Sequence, residues 1–202
     1  MIKLNKSKLV GKGLHRECYR HPEDENLCIK VVVSGHDDET RREKRYYRHI
    51  EKRNISWDMI PRFYGNVETN LGPGFVFDLI FDHDGKVSKT LEYYLSSNEE
   101  TDALYDGLSS SLCLLKDYLL QQHIITMTLK PKNISCKRMK SGDVRLFIID
   151  NIGNSDFIPI CNYSKYFAGK KILRKWEAFE SRMLNTYKHN KALHRMLSSS
   201  RC

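Results

Sequence analysis

The sequence predicts an α+β protein. It has a small β-rich N-terminal lobe over residues 1–81 and a reduced helical second lobe over residues 82–202 that ends in basic helices. Three observations lead there. Apolar, β-branched runs separated by turn residues crowd the first part of the chain. Leucines at helical spacing dominate the middle. Positive charge gathers at the end: residues 162–202 hold ten Lys/Arg against two Glu, whereas the other 161 residues hold 24 positive and 23 negative charges. With 40% hydrophobic and 29% charged residues in 202, a packed core is expected and wholesale disorder is excluded. Five prolines and eleven glycines exclude collagen-like or low-complexity architecture.

The elements follow in order. Leu9–Cys18 is a turn-like stretch carrying Gly11 and Gly13. Leu27–Val33, LCIKVVV, reads as a buried strand of an antiparallel sheet. Asp37–Arg53 reads as the one helix of the first lobe. Asp37 or Asp38 is its cap, and Tyr46, Tyr47 and Ile50 form its apolar side. Residues 62–69 and 74–81 form two strands around the Asn70–Pro73 turn. Pro61 and the segment Phe81–Lys86 mark the boundary between lobes. A long helix then runs from about Glu99 to Gln122, with Leu104, Leu108, Leu112, Leu115 and Leu119 on one core-facing stripe. Ile134–Cys136 and Val144–Ile149 form a hairpin turning at Ser141–Gly142. The tail is helical, with Leu173, Trp176, Phe179 (or Glu180), Met183, Leu184 and Tyr187 along one side.

No apolar h-region opens the chain and no run of some twenty apolar residues occurs, so neither a signal peptide nor a membrane span is expected. The six cysteines stand far apart with no CxxC pair, which suits free thiols in a reducing cytoplasm. The basic tail either meets an anionic surface or is a solvated helix face. Aromatic residues are not interleaved with its charges as stacking platforms, so no specific nucleic-acid partner is expected. His189 and His194 lack an HExxH context, and no cysteine has an activating constellation.

Several residues can carry chemistry. A turn at Gly11-x-Gly13 lets backbone N–H groups approach phosphate, because no Cβ intervenes. Lys30 sits inside an apolar strand. It either points to solvent or is a partly buried ammonium that requires an anion. Glu43 shares a helix side with Tyr47 and Ile50 and is placed to reach Lys30, with Glu39 as a competing partner. Further on, Thr128-Leu-Lys130-Pro-Lys-Asn133 precedes the hairpin, and Asp150-Asn-Ile-Gly153 ends it. Asp and Asn oxygens suit Mg²⁺, which also accepts phosphate oxygens and water. The ordered set is far less expected by chance than any of its members.

In that order the residues resemble the protein-kinase-like fold over residues 9–153. The strand lysine of that fold matches Lys30 in Cys28-Ile-Lys-Val. The catalytic-loop pattern H-R-D-L-K-P-x-N matches Thr126–Asn133, and D-F-G matches Asp150–Gly153 with one residue inserted. More narrowly, the whole chain resembles the YrbL family of bacterial proteins, linked by name to the PhoP regulatory network. HRECYRHPED, CIKVV, IPRFYGNVET, FDHDGK, TMTLKPKNI, DNIGNSDFIPI and YSK carry that likeness.

The resemblance implies a bilobal protein that binds ATP and Mg²⁺ in the cytoplasm. Gly11, Gly13, Lys30, Glu43, Asp78 and Ile80 would bind the nucleotide, Asn133 and Asp150 the metal. Lys130, Thr128 and Asp150 would stand at the catalytic positions. Thr128 departs from the pattern, because a hydroxyl cannot accept a substrate proton as a carboxylate would. Asp82 or Asp84 of FDHDGK is a candidate replacement, against the favoured reading in which FDHDGK follows the hinge and lines the rim of the nucleotide cleft. The A-P-E sequence is absent, so a peptide platform is not expected. A small-molecule or protein acceptor is left open, as are two functions: an atypical phosphotransferase, or a pseudokinase working through a partner.

Overall fold

The computed structural model describes residues 1–34 and 38–199. The expected cap at Asp37 and the last tail residues, Arg201 and Cys202, lie outside them. The chain divides into two compact units, Met1–Arg41 with Pro61–Ile80, and Arg42–Ile60 with Phe81–Cys202.

The first unit is one antiparallel sheet of β1 (Leu9–Lys12), β2 (Arg16–Arg20), β3 (Leu27–Val32), β4 (Phe63–Thr69) and β5 (Gly72–Asp78), in the order β1-β2-β3-β5-β4. The β4–β5 turn falls where expected, and the Thr69 hydroxyl donates to Gly72 O at 2.6 Å. Cross-strand register gives the sheet two different sides. Tyr19, Ile29 and Val76 are in line across three strands and join Val31 and Leu4 in the core cluster. Cys18, Lys30 and Phe75 are in line on the other side, with Cys28 beside Phe77. The central residues of β3 are therefore buried on both sides, which is why LCIKVV shows no polar alternation. Gly74, opposite Val31, has to be glycine, since a Cβ there would lie 2.6 Å from Ile29 Cγ2.

The second unit takes most of α1 (Asp38–Glu51). Tyr46, Tyr47 and Ile50 are buried along it, as their spacing requires, and so is Glu43. The Tyr46 hydroxyl donates to His123 O at 3.3 Å and accepts the Ile125 N–H at 2.8 Å. Next come α2 (Leu91–Leu95), α3 (Asn98–Ala103) and α4 (Tyr105–Gln122). The single helix expected over 99–122 is thus two, broken at Leu104, whose φ of −116° and ψ of 20° are not helical. Polar contacts outside the leucine stripe anchor α3 separately. Its buried Thr101 donates to Tyr94 O at 2.7 Å and accepts Asn190 Nδ2 at 2.8 Å. Within α4 the stripe holds, with Leu108, Leu112, Leu115 and Leu119 all buried.

The hairpin is β6 (Ile134–Arg138) and β7 (Val144–Ile148), turning through Gly142 at φ +92°. Ser111 of α4 accepts the Leu146 N–H at 3.0 Å. The tail forms α5 (Ile160–Tyr163), α6 (Lys165–Thr186) and α7 (Lys191–Ser199). Its buried side is Ala168, Ile172, Trp176, Phe179 and Met183. Leu173, expected on that side, is exposed, because one residue along a helix turns the side chain by about 100°. Cys18, Cys28, Cys136 and Cys161 are thiols, as expected.

Candidate functional site

The end of the β6–β7 hairpin collects the most chemistry. Asn133 closes a short 3-10 turn, Pro131–Asn133, in which its N–H donates to Lys130 O at 2.9 Å. The turn begins with proline, whose missing N–H costs nothing at a first helical position. Ile134 pairs with Ile148, and the Asn133 carbonyl extends the ladder one step by accepting the Ile149 N–H at 2.9 Å. That bond fixes the register which brings Asn133, buried, and Asp150, half-buried, to the same end of the hairpin.

After Asp150 the chain bends through Asn151 at φ +63° and Gly153 at φ +152°. Asn151 tolerates the left-handed region and glycine removes the Cβ penalty at the second bend. The bend lays residues 151–153 against 125–127. Met127 N–H donates to Asn151 O at 2.8 Å, and Gly153 N–H to Ile125 O at 2.9 Å. Glu43, 2% exposed, accepts the N–H of the fully buried Ile152 at 3.1 Å. A buried carboxylate on α1 thus braces the strap that carries Asp150. Thr128 follows this paired segment half-buried, and Lys130 is exposed.

Three cations of α6 hold the same loops from behind. Lys175 Nζ donates to Met127 O, and Arg182 Nη2 to Leu129 O at 3.2 Å. Lys171, whose side chain is 4% exposed, meets Asp156 Oδ1 at 2.6 Å and Asn154 Oδ1 at 2.5 Å. Its hydrogen bond holds the Asp156 carboxyl below the usual range. Burial pushes the Lys175 ammonium down, and the charges of Lys171 and Arg174 push the same way. These cations were counted in the sequence only as tail charge. The available signal was position: Lys171 and Lys175 each stand one residue before a buried apolar position, Ile172 and Trp176.

In the first unit, Lys30 is 8% exposed, on the sheet side opposite the core cluster, with its Nζ 4.3 Å from the Phe77 ring centre. Its solvent-pointing alternative is thereby removed. Gly11 lies in β1 and Gly13 just beyond it, where its N–H donates to Arg16 O at 2.7 Å. Neither glycine uses a positive φ. Asp78 is committed locally: Oδ2 accepts the Arg62 N–H at 2.7 Å and Oδ1 the Tyr64 hydroxyl at 2.8 Å. Ile80, the last residue of this unit, is nearly buried.

The two candidate replacement bases are both engaged by Arg138. Asp82 is buried and accepts Arg138 Nε at 2.6 Å, the Arg138 N–H at 3.0 Å and the Ser88 hydroxyl at 2.6 Å. Asp84 meets Arg138 Nη2 at 3.3 Å. FDHDGK is therefore a clasp on the β6–β7 hairpin, with both carboxylates turned to the Arg138 guanidinium.

Among the described residues no helix is long and apolar enough to cross a membrane. The profile of the family described as PhoP regulatory network protein YrbL matches residues 2–196. Over 183 residues the chain is 44% identical to the uncharacterized protein YrbL of Escherichia coli (strain K12), covering 89% of this chain and 86% of that one. It is similar in the same degree to the YrbL protein of Shigella flexneri. The shared stretch contains both the braced strap and the buried strand lysine, and the chain belongs to the PhoP regulatory network protein YrbL family.

Proposed function

We propose that the protein is kinase-like, binds Mg-ATP in the cytoplasm, and acts as an atypical phosphotransferase on a small molecule or another non-peptide acceptor. The observation that carries this reading is the arrangement of Asn133 and Asp150 at one end of the hairpin, on a strap braced by Glu43. The donor set fits Mg²⁺. One carboxylate and one amide oxygen are hard ligands that leave positions for water and phosphate oxygens. Among the described residues no group of three His, Cys, Asp or Glu side chains forms a closed protein site for a metal. When bound, Mg²⁺ would supply charge neutralisation to the phosphates of ATP.

The protein's own groups divide the remaining work. Asp150 and Asn133 hold the metal. Lys30 offers an ammonium whose stem is packed and whose rotamer freedom is already spent on Phe77. The order of the five antiparallel strands, with a helix between the third and fourth, supports reading that sheet as a nucleotide-binding lobe. Lys130, exposed at the end of the braced loop, offsets charge on the group being moved. A loose transition state asks little of a base, so Thr128 need not accept the acceptor's proton.

A second reading, a pseudokinase acting through a partner, is favoured by one observation. Asp82 and Asp84, the two candidates for the replacement role, are engaged by Arg138. Titration calorimetry with Mg-ATP tests the shared part. Wild type should bind, and Asp150→Ala should weaken binding at least about tenfold, roughly 1.4 kcal/mol. A wild type that releases no heat and gains no melting temperature with Mg-ATP overturns the phosphotransferase and leaves a pseudokinase that binds no nucleotide. Binding without any ADP formation leaves the pseudokinase.

A further inference from the structure

The second unit contains a pocket of about 330 Å³ alongside Lys130, large enough for a small metabolite. Its apolar wall is Pro131 and the Tyr187 ring, both half-buried, backed by the buried Leu129, Phe179 and Met183. Its rim carries three cations, Lys130, Lys132 and Arg182, against a single carboxylate, Glu92. Among the described residues neither Lys130 nor Lys132 forms an ion pair, so neither ammonium group is committed to a carboxylate of the protein. Arg182 is fixed by Ala178 O at 3.1 Å and Leu129 O at 3.2 Å, so its guanidinium stands at a set place on the rim. Apolar floor, cationic rim and small volume together select an organic anion over a sugar without charge, a peptide or a bare inorganic ion.

We propose that this pocket binds a small organic anion, carrying a phosphate or a carboxylate on an apolar body. The inference rests on the proposed phosphotransferase reading only in assigning that anion as the acceptor, because Lys130 belongs both to the rim and to the braced loop. In such a transfer the acceptor's hydroxyl oxygen forms the new bond to the γ-phosphorus. The bond from that phosphorus to the β–γ bridging oxygen breaks, ADP leaves with the electron pair, and the hydroxyl proton passes to water.

Phenyl phosphate and benzoate serve as probes of the two anion types, with inorganic phosphate as the control at matched ionic strength. Backbone amide NMR shifts of the whole protein report the site. At least one organic probe should bind about tenfold or more tightly than inorganic phosphate, and its shifts should centre on residues 129–132 and 182–187. Whichever probe binds identifies the headgroup. Lys132→Glu should weaken that probe at least about tenfold, and Thr186→Trp, which fills the pocket from an exposed wall position, should abolish it. Asp150→Ala should leave probe binding unchanged. Equal affinity for the organic probes and inorganic phosphate overturns the proposal, as does wild-type affinity in both pocket variants. If the probe binds while wild type ignores Mg-ATP, the pocket stands and the phosphotransferase reading falls; the reverse pattern removes the pocket alone.

Discussion

β3 and α6 each bury a lysine, and the two burials are unlike. Lys30 lies among Cys18, Cys28, Phe75 and Phe77 on a sheet face, with its ammonium over an aromatic ring. Lys171 lies against Asp156 and Asn154, with both contacts at hydrogen-bond distance. The first lysine presents its ammonium to an aromatic ring at 4.3 Å. The second already has its anion within the protein and serves to fix the loop after Gly153. Burial of a charge thus takes two forms here, one ammonium over an aromatic ring and the other on a carboxylate.

The largest expected effect comes from the architectural lysine. Lys171→Ala removes the partner of Asp156 and opens space beside Ile172, and should cost about 2–3 kcal/mol in urea unfolding, discounted because Asp156 is partly exposed. A cost under about 0.5 kcal/mol would make Lys171 as dispensable as a surface cation.

The partner's titration gives a smaller effect of known sign. The Asp156 carboxyl is held below its unfolded value of 3.8. The unfolded chain then binds more protons in that range, so stability rises with pH there. The contribution is complete above the unfolded value and is lost as pH falls through the depressed folded one. It should amount to less than about 1 kcal/mol given the exposure of Asp156. Melting temperature followed from pH 5 down to pH 2.5, roughly spanning the range where carboxylates titrate, should fall more steeply for wild type than for Asp156→Asn. Parallel curves would show that Lys171 does not hold this carboxylate.

Lys30→Met should change stability least, by less than about 0.5 kcal/mol, because the thioether can keep the packing on Phe77. The same variant should abolish the thermal shift produced by Mg-ATP. Loss of stability on the scale of Lys171→Ala would assign Lys30 to architecture as well.

The legibility of the two lysines follows from their neighbours. Lys30 interrupts an apolar run, and a charge in LCIKVV is conspicuous whatever the fold. Lys171 sits in GKKILRKW, where every turn of the helix carries a cation and only the packing of Ile172 and Trp176 says which cations turn inward. The same limit explains the one-residue error at Leu173. It explains Asp82 as well: an aspartate in a polar turn-like segment gives no sign that Arg138, more than fifty positions later, will close on it. The break at Leu104 was hidden because Thr101 and Asn190 interact over 89 residues.

By itself the amino-acid order determined β3, β4 and β5, the α4 stripe and the hairpin turn, whereas β1 and much of β2 lie in a stretch it marked only as turn-like. The elements so determined depend on neighbours within a few residues, where helical and strand periodicity act directly. Tertiary structure alone decided which charges are spent inside the protein: Asp82 and Asp84 on Arg138, Lys171 on Asp156, Lys175 and Arg182 on loop carbonyls. Those pairings form between segments distant in sequence, and a charge selects its partner by distance in space once burial has removed water as the alternative.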